Sequence, residues 1–163
     1  MWLSNGTISM IMDEIIGTEL DKLGNEIKIC FCKHETMPAK VTAFFARQWA
    51  DLIEAGFAAS NRIPDIYDCR VIYITCDNKI IALRIWVWEQ NITRIILTAV
   101  DKNHRRRGLL KLIAKYYDKR LIDGGCIKSD TFIHVDNTAM IDAARQTGYK
   151  VEFLKMTKIY QNE

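Results

Sequence analysis

The spacing of apolar positions changes several times along the chain, and each change marks an element. Residues 1–25 are ambiguous, with a short strand or helix expected around Ile8 to Ile16. After Gly24-Asn25, the stretch EIKICFCKH is rich in β-branched and aromatic residues and reads as a strand. Pro38 then opens a helix, at a position where its missing N–H costs nothing. Val41, Phe44, Phe45, Trp49, Leu52 and Ile53 recur at helical spacing until Gly56 closes the element. Residues 57–69 read as loop or short helix.

From Arg70 the spacing shortens. RVIYITC and KIIALRIWVWE flank Asp77-Asn78, a turn signal, and NITRIILTAV follows as a third strand of the same meander. Leu109, Leu112, Ile113, Tyr116 and Leu121 then mark one face of a helix running to Gly124-Gly125. DTFIHVD, residues 130–136, reads as a strand, Asn137 caps a short helix ending at Gly148, and YKVEFLKMTKIY is a last strand. A helix between two strands, as in residues 92–136, normally makes a right-handed crossover between parallel strands. The expectation is an α/β (α+β layered) fold with a mixed, mostly antiparallel sheet of about six strands and helices on both faces.

Composition narrows the function classes. The chain has 163 residues, 49% of them apolar and 26% charged, with only 8 Gly and 2 Pro, so a single domain over 1–163 is expected without linkers. The formal charge of +3 is too small to make the whole molecule a magnet for nucleic acid. Its basic residues cluster instead, from His104 to Arg107 and at Lys111, Lys115, Lys119 and Arg120, which argues for a local anion site. The five cysteines are odd in number, and Cys30 and Cys32 are too close for a zinc knuckle, so buried thiols in a reducing cytoplasm and no metal are expected. No signal peptide or membrane span is read from the sequence.

The strand-to-helix junction carries the strongest signal. A strand ends at Val100, a short loop follows, and Arg105-Arg106-Arg107-Gly108 leads into a helix. The first helical turn has unpaired N–H groups and partial positive charge, glycine lets a backbone approach an anion, and arginines add forked donors. V-D-x-x-x-R-R-R-G-L-L at residues 100–110 resembles the acetyl-CoA signature of the GNAT superfamily of N-acetyltransferases. Arg105 and Gly108 match its Arg/Gln-x-x-Gly-x-Gly/Ala pattern, while Leu110 replaces the small last residue. Downstream, Asn137, Gly148 and Tyr149 are similar to that family's Asn-helix-Gly-Phe segment.

The resemblance implies a GNAT-like fold and transfer of an acetyl group from acetyl-CoA to a primary amine by direct attack on the thioester. It implies a diphosphate cradle of Arg105, Arg106, Arg107, Gly108, Leu109 and Leu110, backbone pairing of the pantetheine arm with Thr98, Ala99 and Val100, and contact from Asn137. The amine must lose a proton and the departing thiolate benefits from an acid. Many relatives carry a tyrosine seven residues after the Asn, but that position is Ala144 here. For the base, His134 and Asp136 alternate before Asn137 and so share a face of the expected strand, and Glu89 ends the Trp86-Val87-Trp88 stretch. A core histidine, a turn-forming aspartate and a solvated strand-end glutamate are the plain alternatives. Arg84, Trp86 and Trp88 share a strand face that either packs under a helix or forms an acceptor pocket for a planar or anionic substrate.

The acceptor stays open among a small molecule, a protein and a nucleic acid, as does a homodimer. Two other readings stand beside the enzyme: a catalytically idle GNAT-like domain that binds CoA or a partner protein, and a nucleic-acid-binding or -modifying protein using the lysine stripe. A solvated helix face also explains that stripe.

Overall fold

The computed structural model describes residues 14–58 and 62–152. Six strands form one sheet, in which each strand lies beside its sequence neighbours. They are β1 (Glu14–Leu20), β2 (Glu26–Lys33), β3 (Arg70–Cys76), β4 (Lys79–Glu89), β5 (Ile92–Val100) and β6 (Lys128–Thr131). The first five run antiparallel in succession, and β6 is parallel to β5. This is the mixed, mostly antiparallel α/β sheet expected.

Two helices cover opposite faces. Helix α1 (Ala39–Glu54) begins after Pro38 and sets Val41, Phe44, Phe45 and Trp49 against Val71, Tyr73, Leu83 and Ile85. Helix α2 (Leu109–Asp123) sets Leu109, Ile113, Tyr117 and Leu121 against Ile29, Ile72, Ile74 and Trp86. Tyr117, fully buried, takes the core position expected of Tyr116. Tyr116 is instead only partly buried and donates its hydroxyl to Glu19 at 3.0 Å. A third helix, α3 (Thr138–Gln146), follows β6 and buries no residue.

Turn chemistry fixes the meander. Asp77 and Asn78 both take left-handed φ, 48° and 62°, the conformation that a two-residue hairpin needs. Gly56 and Gly148 also take positive φ just beyond α1 and α3, where they end the helices.

Three expectations differ from the structure. The ambiguous N-terminal element is strand β1, beginning at Glu14; the part of it before residue 14 lies outside the described residues. The strand expected over 130–136 is displaced to Lys128–Thr131, and residues 132–136 are irregular. The cause is a lack of partner: no strand of the described residues pairs with them, so nothing supports extended ladder geometry. Residues 149–152 are not strand, and the rest of the expected last strand lies outside the described residues.

Candidate functional site: a notch between two parallel strands

Strand β5 pairs with β4 along its whole length, from Glu89↔Ile92 to Ala82↔Val100. With β6 it pairs only from Ile92↔Lys128 to Ile95↔Thr131. The β4–β5 register also slips at this point: Trp86 faces Ile95 and Ile85 faces Leu97, which leaves Ile96 as an extra, bulged residue. A bulge bends its strand and sharpens the local twist. The bulge and the end of β5–β6 pairing therefore coincide. From Ile96 to Val100 the edge of β5 that turns toward β6 has no strand partner among the described residues, so its backbone groups can accept an added extended chain. Thr98, Ala99 and Val100 all lie on this edge.

A buried hydroxyl pins the closed end of the notch. The Tyr117 hydroxyl shares hydrogen bonds with Thr93 Oγ1 at 2.8 Å and Ser129 Oγ at 2.7 Å, and these two residues are themselves cross-strand partners. Ser129 passes the chain on to the Tyr149 hydroxyl at 2.8 Å. Burial pushes the Tyr117 phenol well above its ordinary pKa, so it stays protonated and serves as a fixed donor and acceptor. Above Tyr117, the Arg84 guanidinium lies 4.6 Å from its ring centre and donates Nε–H to Thr98 Oγ1 at 3.0 Å. Arg84 is 6% exposed, and its Nη1 has no hydrogen-bond partner among the described residues. Burial lowers its pKa. The Thr93–Tyr117–Ser129–Tyr149 chain was not found from sequence, because its members lie on four separate segments.

At the open end, the loop after Val100 is organised by Asp101. Its carboxylate accepts from His104 Nδ1 at 2.9 Å and Asn103 N at 3.0 Å, and pairs with Arg47 at 3.6 Å. The His104 hydrogen bond chiefly holds its pKa below the usual carboxylate value. Arg106 and Gly108 then adopt left-handed backbone, φ 65° and 80°. Gly108 is the N-cap of α2; its carbonyl accepts from Lys111 N and Leu112 N. The N–H groups of Leu109 and Leu110 belong to the unpaired first turn, and no acidic side chain stands there to use them. A side chain at Gly108 would be strained by its φ and would meet Lys22 Cε at 3.3 Å.

The structure separates the three arginines by role. Arg105 and Arg106 are exposed and make no ion pair with a described residue. Arg107 is committed: its Nη1 lies 3.4 Å from the fully buried carboxylate of Asp21, and its carbonyl accepts from Lys22 N at 3.3 Å. It straps the loop to the β1–β2 turn. Burial raises the Asp21 pKa, but donors from Asn25, Leu23 and Arg107 outweigh it and hold the group below its ordinary value of 3.8. A group with a lowered folded pKa contributes stability above its unfolded pKa and loses it as pH falls through the folded one. The Asp21→Asn variant is expected to unfold at lower urea than wild type at pH 7, and the gap should narrow as pH falls below the ordinary value of 3.8. An unchanged gap across that range would mean that Asp21 is not the acid-sensitive strap.

The candidate chemistry residues fall in different places. His134 follows β6 and stacks on Phe57, with ring centres 5.7 Å apart. Its Nδ1 accepts from Asp136 N at 3.2 Å and lies 3.7 Å from Asp136 Oδ2, so the two are neighbours through a turn and not through strand alternation. With Nδ1 accepting, the neutral ring carries its proton on Nε2. Asn137 Oδ1 accepts from Met140 N at 3.3 Å and so caps α3, and its amide nitrogen makes no hydrogen bond with a described residue. Glu89 is at the far end of the β4–β5 hairpin, 62% exposed and paired with Arg94 at 3.6 Å. The structure does not bring it to the notch. Among the described residues, no helix is long and apolar enough to cross a membrane.

No family model and no curated protein matches the chain. Solved structures do. An aminoglycoside acetyltransferase from an uncultured soil metagenomic sample superposes with a TM-score of 0.61 at 16% identity, covering 84% of this chain and 97% of its own. An integron cassette protein from the mobile metagenome of V. cholerae gives 0.63 at 12% identity, over 83% and 93%. The aminoglycoside N-acetyltransferase AAC(6')-Iy, in complex with CoA, gives 0.56 at 14% identity, over 83% and 98%. The chain has the fold of the GNAT acetyltransferases.

Proposed function

We propose that the protein is an N-acetyltransferase that moves an acetyl group from acetyl-CoA to a primary amine. The observation that carries this reading is the coincidence of the Ile96 bulge with the end of β5–β6 pairing, on a strand that leads directly into the arginine loop. The residues present fit the co-substrate. Arg105, Arg106 and the first-turn N–H groups of Leu109 and Leu110 would hold the diphosphate, with Gly108 giving the backbone room. Thr98 to Val100 would pair with the pantetheine arm, and the Asn137 amide nitrogen would contact it from the other wall. Acetyl-CoA supplies the activated acyl group.

The chain's own part is to position the amine and take its proton. A lysine-like amine has a pKa of about 10.4, so it needs a base or desolvation at neutral pH. Of the three candidates, His134 and Asp136 lie together on the segment that follows β6, and this pair would take the proton. Glu89 is assigned no part in this scheme. Several solved proteins of this fold are aminoglycoside acetyltransferases, which supports an amine acceptor without choosing one.

A second reading, an idle CoA-binding domain, is favoured by Ala144 at the position where relatives carry an acidic hydroxyl. The nucleic-acid reading ranks behind both, because three cations of the cluster are paired, Lys115 with Glu19 at 2.7 Å, Lys119 with Asp123 at 2.8 Å and Arg107 with Asp21. The test is calorimetric titration with acetyl-CoA, followed by thiol release across a panel of amines. Saturable binding with release on one acceptor is the expected result. Binding with no release for any acceptor would favour the idle domain, and no binding to folded protein would overturn both.

A further inference from the structure

The second half of α2 and strands β1–β4 line an open recess of about 630 Å³ that the acyl-transfer reading does not use. We propose that it binds a small planar aromatic molecule carrying an anionic group. It lies on the sheet face that α2 covers, near the end of that helix remote from the arginine loop. From Leu109 to Arg120 the helix rises about 16 Å, at 1.5 Å per residue. Its size is that of an ordinary small-ligand site, roughly 300–1,000 Å³.

Charge is the first argument. Lys33 on β2 and Arg70 on β3 are direct cross-strand partners, and both line the cavity. Like charges directly opposite in a sheet destabilise it. Among the described residues neither has an ion-pair partner, although Glu35 and Asp68 border an adjoining recess. Two further cations, Lys119 and Arg120, line the cavity from α2, but these are answered by Asp123 at 2.8 Å and Glu14 at 3.4 Å. The unanswered charge is therefore at the sheet floor, where an anion would bridge Lys33 and Arg70.

Ring surface is the second argument. The Arg70 guanidinium lies 5.1 Å from the Trp88 ring centre, and that of Arg120 lies 3.5 Å from the Phe31 ring centre. The half-buried Trp88 ring thus stands beside the unanswered Arg70 as a stacking platform for a flat ligand, while Phe31 is buried beneath Arg120. Gly124 makes room for Trp88: a Cβ there would come within 2.6 Å of its ring. The pairing of ring and cation selects the ligand chemistry, since neither an inorganic anion nor a neutral aromatic uses both. The proposal stands whether or not the notch takes acetyl-CoA.

Calorimetric titration of the full chain with 1-naphthyl phosphate tests it, with 1-naphthoate, 1-naphthol and inorganic phosphate run in parallel. The phosphate ester or the carboxylate is expected to bind at least tenfold more tightly than naphthol and than phosphate, and their order identifies which anion the site takes. Lys33→Gln and Arg70→Gln are each expected to weaken that binding about tenfold, and Trp88→Leu to weaken it similarly. If Trp88→Leu does not fold, the exposed Lys33 variant still decides. Arg105→Ala/Arg106→Ala should leave the affinity unchanged. Equal affinity for naphthol, no binding of either anion, indifference to Lys33→Gln and Arg70→Gln, or loss in the Arg105/Arg106 variant would each overturn the proposal.

Discussion

Replacing Arg105 and Arg106 together by alanine is expected to weaken acetyl-CoA binding about a hundredfold with no loss of stability. Each exposed guanidinium contributes one charged contact to the diphosphate, taken here as about 1.4 kcal/mol or tenfold in affinity. Both side chains are exposed and neither makes a hydrogen bond or ion pair with a described residue, so the fold does not depend on their charge. Arg107→Ala should behave in the opposite sense. It removes the Asp21 strap at 3.4 Å, so the urea midpoint should fall, and affinity should drop only as far as the loop loosens. Because the two arginines are exposed, salt should screen their contribution, and the hundredfold gap should narrow toward 1 M ionic strength. Calorimetry and urea melts on the two variants check this. Equal affinity losses in both would show that the three arginines act together and that the separation drawn from the structure is wrong.

The largest expected effect on stability is at Trp86. It is fully buried, edge-on to Tyr117 with ring centres 5.0 Å apart and tilted against Phe31 at 6.2 Å. Trp86→Ala should cost about 3–5 kcal/mol, the usual range for an aromatic deleted from a packed core. Trp86→Phe is the informative partner. The indole Nε1 is buried with no hydrogen-bond partner among the described residues, so losing it removes an uncompensated polar group while keeping most of the ring. That variant should cost less than about 1.5 kcal/mol. The urea midpoint, read at constant slope, measures both. A phenylalanine variant as damaged as the alanine one would mean that the indole N–H has a partner after all. The alanine variant should also weaken acetyl-CoA binding, since Trp86 supports the tyrosine that pins the notch.

Much of this architecture is legible in the residues because local chemistry decides it. Pro38, Asp77-Asn78, Asn137 and the glycines after each helix act within a few residues, and the structure places helix ends or turns at each. The strand β1 was ambiguous because none of its residues is buried, so it has no apolar alternation to read. Tyr116 and Tyr117 are adjacent on the helix, and only the position of Thr93 and Ser129 decides which is drawn inside. The strand expected over 130–136 fails because sequence cannot show where a partner strand turns away. That divergence follows from one bulged residue, Ile96, whose neighbours read as an unbroken apolar strand. The division of labour among the three arginines was hidden for the same reason: Asp21, which captures one of them, is 86 residues away in the chain. The junction itself was visible, since strand end, arginines, glycine and helix are contiguous.

The neighbour-by-neighbour order of the sheet bears on how the molecule assembles. Three of its five strand pairings are closed by tight turns, β1–β2, β3–β4 and β4–β5, and need little loop closure. The β2–β3 pairing waits on the segment that contains α1, and β5–β6 waits on α2. Local contacts form early and long closures late. The parallel pair is also the shortest ladder in the sheet, four residue pairs in all. The two walls of the notch therefore meet late in folding and are held by the least backbone. Chain opening under mild denaturant should start there, so that a bound acyl donor, by spanning both walls, would slow the first step of unfolding.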